Sequence, residues 1–218
     1  TDWMDEITKS AFMQRHHIAF NSATEKSSYF ISGSYLDQDG VIGGDKSNFE
    51  RITLRTNIAQ QVKPWLQVGT NITYSHFDRS ALGEDDEFGG IVSSGLMMDP
   101  MTPTLFEGEL PAFAQDAVDA GYTLVQNEDG EFYGVSNNVL GEIANPLAKM
   151  EISKGYTKED KIMGNIFATF GGEVWKGFSF TTRLSNDVAN QLYHTRYPTY
   201  WFSSENMNTQ PNVRDNYN

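Results

Sequence analysis

Four aromatic residues near the end of the chain, Tyr197, Tyr200, Trp201 and Phe202, are its best candidates for binding a ligand. Flat rings stack on the faces of sugars and contribute much contact area at small entropic cost. The same rings could equally pack a loop against a neighbour or a partner protein. Two acidic stretches could gather a cation. Asp37-Gln38-Asp39-Gly40 opens like a calcium loop. Val41, however, stands where the next oxygen ligand belongs, and no Glu closes the run, so it reads as a solvated turn. Glu84-Asp85-Asp86-Glu87 reads as a hydrated, self-repelling loop tip rather than a metal cradle. His16 and His17 are adjacent, so on a strand they point to opposite faces and cannot grip one ion together. His76 and His194 stand alone. With no cysteine, no G-x-S-x-G elbow and no singled-out carboxylate pair, the residues predict no catalysis, no metal and no cofactor.

Composition narrows the partners. A formal net charge of −13 and a pI near 4.6 argue against nucleic acid, whose phosphates call for Lys and Arg. They also argue against adhesion to anionic lipid through a basic patch. No stretch approaches the roughly 18 consecutive apolar residues of a transmembrane helix. A barrel strand is only half apolar, so a mean hydropathy of −0.48 is neutral between a soluble protein and a barrel. The start, Thr1-Asp2-Trp3, carries no charged-then-apolar leader, and the end carries no stop signal. The expectation is an internal segment of a longer polypeptide, with any signal peptide outside it.

The elements that must position these residues are strands. Along Leu66 to Ser75, residues Leu66, Val68, Ile72 and Tyr74 fall on one parity and Gln67, Asn71, Thr73 and Ser75 on the other, with Thr70 the one soft spot. Successive side chains of a strand point to opposite faces, so this strand has one greasy and one wet face. The pattern recurs and predicts strands at about 17–23, 29–36, 49–59, 65–77, 162–172 and 178–190, although Phe167 breaks the alternation. The turns Thr24–Ser27, Gln60–Pro64 and Glu173–Gly177 are short. The Gly/Asp-rich link Asp37–Asn48, the stretch of about 78–160 and a last loop from near Gln191 are long. Within 78–160, the spacing around Ile91 and Leu96, and the Pro111 to Gly121 run, predict two short helices.

Turns that alternate short and long suit a barrel with one confined rim and one outer rim. Arg51, Arg55, Asn57, Asn71 and Arg183 sit on the polar parity and should line a wet lumen, where Arg costs little compared with roughly 2–4 kcal/mol on a lipid face. Trp65, Trp175 and Phe178 lie beside short turns, and Tyr35, Tyr74 and Phe77 beside long ones, as two aromatic belts would. A soluble antiparallel sandwich that binds glycans through its aromatics is the alternative.

Several spaced stretches resemble one family. Thr1-Asp2-Trp3-Met4-Asp5-Glu6-Ile7, then Glu25 through Ile42 with Tyr29-Phe30-Ile31-Ser32-Gly33-Ser34-Tyr35-Leu36 at its centre, resemble SusC/RagA-type TonB-dependent transporters of Bacteroidetes outer membranes. So do Ser47 through Asn57, Trp65-Leu66-Gln67-Val68-Gly69 and Asn145-Pro146-Leu147-Ala148. Where members often carry a Gly-Gly pair before the first turn, this chain has Asn21-Ser22. The resemblance implies an all-β fold, an arc of a transmembrane antiparallel barrel of roughly 22 strands, with one long extracellular loop containing short helices. It also implies location in the outer membrane and energised uptake of oligosaccharides or peptides. The implied partners are a SusD-like surface lipoprotein and, through parts outside this chain that include the family's plug domain, the TonB complex.

Overall fold

A computed structural model describes residues 1–80, 82, 89–171 and 176–218. Seven strands form one antiparallel sheet in the order β1 (Met13–Ala23), β2 (Ser27–Gly40), β3 (Gly44–Lys63), β4 (Leu66–Ser80), β5 (Lys154–Gly171), β6 (Ser179–Tyr197), β9 (Asn212–Tyr217). A two-stranded hairpin, β7 (Tyr200–Trp201) and β8 (Met207–Asn208), stands apart. Helices α1 (Trp3–Ile7), α2 (Ile91–Met97), α3 (Ala112–Asp119) and α4 (Pro146–Ile152) lie outside the sheet. The sheet is an open arc, edged by β1 and β9.

Residues paired directly across antiparallel strands share a face. The register therefore sorts every strand residue. Gly33, Leu54 and Tyr74 are paired in a row that continues through Ile162 to Val188; the neighbouring row runs Ile31, Thr56, Ile72, Gly164, Asn186. This face is apolar and uncovered, with Ile18 60% and Leu184 75% exposed. From Leu66 to Tyr74 the belt runs about 27 Å along the strand, or about 21 Å of height at a 40° tilt, close to the ~25 Å band of an outer-membrane barrel. Thr70, the soft spot of the alternation, turns its hydroxyl back to donate to the Asn165 carbonyl at 3.0 Å. Trp65 stacks on Phe170 at the short-turn end, and Phe170 tilts against Phe180.

Above the belt the same face changes character. Asp160 accepts from Tyr74 Oη at 2.6 Å and lies 3.0 Å from His76 Nδ1. Lys158 reaches Asp78 at 2.9 Å, and His194 reaches Asp215 at 2.6 Å. The strands continue past the apolar belt because side chains and backbone still find partners there.

That continuation corrects several expectations. The Asp37–Asn48 link is not a long loop. β2 and β3 pair onward to a tight turn over 41–43, with Asp37 accepting from Gln14 and Asn48 and Asp39 from Asn48. The turn needs the left-handed backbone of Gly43 (φ +76°), where a Cβ would also run into Leu82 and Met150. The interval between β4 and β5 is 81–153, shorter than 78–160 at both ends. β6 does not stop near Gln191 but runs to Tyr197. Phe77 does not join an outer aromatic belt: it pairs with Arg51 on the polar face and packs on Phe49 at 5.7 Å. Trp175 and the Glu84–Glu87 run lie outside the described residues.

The buried core belongs to the long loop. Ala114, Leu124, Val125, Val135, Ala144, Ala148 and Phe202 form one cluster, with Phe113 and Trp201 packed against it. Ile7, Leu82, Ile91 and Met150 form a second, which pins α1 to the loop. Asn145 is fully buried and caps α4, accepting from the Leu147 and Ala148 amides while donating to the carbonyls of Thr104 and Gly134. Pro146 follows at a first-turn position, where its missing N–H costs nothing. That chemistry accounts for Asn145-Pro146 and for α4, which sequence spacing did not reveal.

Candidate functional site

The polar face of the sheet gathers Arg51, Arg55, Asn57, Asn71 and Arg183. Asn57 pairs with Asn71, and Asn71 with Asn165, whose amides bond at 3.0 Å. Arg55 pairs with Thr73, its Nε 3.5 Å from Thr73 Oγ1. The Arg51 guanidinium lies over Phe49 at 5.8 Å, and that of Arg183 over Phe167 at 5.9 Å. Phe167 itself pairs with Gly69, where a Cβ would meet its ring and, at 2.5 Å, the Ile58 carbonyl. The residue that broke the alternation fills the slot a glycine leaves.

Three arginines that sequence reasoning passed over share this face: Arg15, Arg79 and Arg214. The signal for Arg79 was the strand's parity carried two residues beyond Phe77. At the upper end of the face, Phe49, Phe77, Arg79, Gln191, Tyr193 and Asn216 line a cavity of about 370 Å³.

The four terminal aromatics are split. Phe202 is 4% exposed within the loop core, tilted against Tyr200 at 5.1 Å. Trp201 packs on the same core and stacks on Tyr122 at 6.4 Å. Tyr200, which also packs on that core, and Tyr197 line an open cleft of about 490 Å³ with Met207, Asn208 and Gln210. Burial pushes the Tyr200 phenol above its usual pKa, so it stays a neutral stacking and hydrogen-bonding group. Among the described residues, no cluster of three or more His, Asp or Glu could hold a metal ion, and no helix is long and apolar enough to cross a membrane.

No family model matches the chain. It is 27% identical over 211 residues to TonB-dependent receptor P3 of Formosa agariphila, covering 94% of this chain and 17% of that protein. It is 23% identical over 215 residues to TonB-dependent receptor SusC of Bacteroides thetaiotaomicron, covering 88% of this chain and 20% of that protein. Among solved structures, the RagAB peptide transporter superposes with a TM-score of 0.61 at 18% identity, over 93% of this chain and 20% of that one. The chain thus spans about a fifth of the length of the relatives it matches. These relatives are receptors and a transporter, not enzymes. In sequence and in fold, over nearly its whole length, the chain resembles the barrel wall of SusC-type TonB-dependent receptors.

Proposed function

We propose that this chain is part of the wall of an outer-membrane, TonB-dependent importer of the SusC type. Its apolar face meets lipid and its arginine-bearing face lines the lumen. The short turns face the periplasm and the 81–153 loop faces outward. The importer takes up oligosaccharides or peptides together with a SusD-like lipoprotein that lids the barrel. The observation that carries this reading is the two-faced sheet, whose uncovered apolar belt is about the height of an outer-membrane hydrocarbon band. The self-folded loop beside the Tyr197–Tyr200 cleft supports an outer rim built to meet a solute or a lid.

The test uses cells carrying the full-length protein. Labelled oligosaccharides and oligopeptides are offered to wild-type and gene-deleted cells, with and without a protonophore. Uptake of one class should depend on both the gene and the energised membrane. Uptake of both classes unchanged by the deletion would sink the proposal. Affinity capture of the full-length protein from solubilised outer membranes should retain a lipoprotein partner.

A further inference from the structure

On a chain of net charge −13, six of its seven arginines stand on one face of one sheet: Arg15, Arg51, Arg55, Arg79, Arg183 and Arg214. Lys161 joins them, against two carboxylates among the described residues of that face, Glu159 and Asp187. Asp187 is already paired with Lys161 at 3.3 Å. The other face has the opposite balance. Asp37, Asp39, Glu50, Asp78, Asp160 and Asp215 stand there, with Lys63, Lys158 and Arg196 as the counter-charges among the described side chains. Charge is therefore sorted across the wall, positive inside and negative outside, against the sign of the whole chain.

The arginines are also not consumed locally. Among the described residues no ion pair engages any of the six. Arg51 and Arg183 lie over rings, and Arg55 meets a hydroxyl. A guanidinium keeps its charge at any physiological pH and presents a planar fork that matches a carboxylate. A pathway lined by one sign of charge concentrates solutes of the other. At the upper end of this face Arg79 shares the 370 Å³ cavity with the rings of Phe49, Phe77 and Tyr193 and the amides of Gln191 and Asn216. Rings for flat sugar faces, amides for hydroxyls and a fork for a carboxylate make a set suited to an acidic sugar.

Resting on the reading of this face as the lumen, we propose that the imported solute is a carboxylated oligosaccharide, and that the Arg79 cavity is a contact point on its path. The full-length transporter, purified in detergent, is titrated by calorimetry with three probes. These are hexagalacturonate, its fully methyl-esterified neutral counterpart, and hexaglutamate. The acid sugar should bind about tenfold or more tighter than the ester, as expected for charged hydrogen bonds, and the preference should shrink with added salt. Arg79→Gln and Arg51→Gln should each reduce it, while Arg196→Gln, on the opposite face, should not. Equal binding of acid and ester, or no binding of the acid, overturns the proposal. Tighter binding of hexaglutamate overturns it in favour of acidic peptides. A preference untouched by both lumenal variants also overturns it, and assigns those guanidiniums to the plug. Failure of the underlying reading is seen separately: protein that does not fractionate with the outer membrane refutes the lumen itself, whatever it binds.

Discussion

Ile72 and Thr73 are neighbours in sequence and lie on opposite sides of the wall. Ile72 sits between Thr56 and Gly164 on the apolar belt, and Thr73 beside Arg55 on the polar face. In the proposed outer-membrane setting Ile72→Arg should cost ~2–4 kcal/mol at mid-depth, whereas Thr73→Arg adds one more cation to the solvated arginine-bearing face and should cost under ~1 kcal/mol. Heat-modifiable gel mobility and the amount of protein in the outer membrane report the difference; equal assembly of the two variants would remove the two-faced wall. A second residue-scale test concerns the slot under Phe167. Gly69→Ala pushes a methyl against a ring and a backbone carbonyl, and overpacking of this kind costs ~1–3 kcal/mol. Trimming the ring with Phe167→Leu should recover only part of the loss, since the Ile58 carbonyl remains at 2.5 Å. Urea unfolding in lipid vesicles measures both. Parity was legible here because one face of the strand is apolar across the whole belt, Leu66 to Tyr74. The exceptions were not, because Thr70 satisfies its hydroxyl across the sheet and Phe167 depends on a glycine 98 positions away.

Strand existence was readable for the six long strands, and strand length was not. Hydrophobic alternation ends with the apolar belt, but pairing goes on wherever hydrogen-bond partners persist, as in the Asp37–Asn48 contacts. The loop shows the same limit. Ile91 and Pro111 signalled α2 and α3, while α4 rests on Asn145, whose value lies in contacts to Thr104 and Gly134 that no local pattern contains. Asn145→Ala removes the cap and strands the Gly134 carbonyl, while the Thr104 carbonyl still accepts from the Gly134 amide, for a cost of ~2–4 kcal/mol within the loop. Limited proteolysis should then nick 81–153 while heat-modifiable mobility of the wall stays normal; an uncut loop would mean that the cap is dispensable. Asn145→Asp keeps the cap acceptor but sets a buried carboxylate oxygen against the Gly134 and Thr104 carbonyls, so it should cost at least as much. Excising 84–140 is a poor substitute for such point changes. It would pull Ala114, Leu124, Val125 and Val135 away from Ala148 and Phe202 and leave the remaining half of that core exposed.

The whole chain has its stability in an unusual place. Its buried residues are almost all in the loop, α1 and the β7–β8 hairpin, while the sheet that makes up most of its mass buries almost none on either face. Its edges are open too. β9 covers β6 only from Leu192 to Tyr197, with Gln191 still bonded to Asn218, so on the edge away from β5 the stretch from Ser179 to Asn190 has no neighbour strand among the described residues. A long, flat, hydrophobic open edge is a template for pairing with other chains, and an apolar face of this breadth has no counterpart on soluble monomers. Lipid on one side and further strands at the edges are what the geometry calls for. Residues 1–218 made alone in water should therefore associate and melt without a sharp transition, while the loop core gives partial protection from protease. Sedimentation velocity and a thermal scan read this directly: a detergent-free monomer with one cooperative transition would mean that the sheet is covered by something other than lipid, and would return the soluble sandwich to first place.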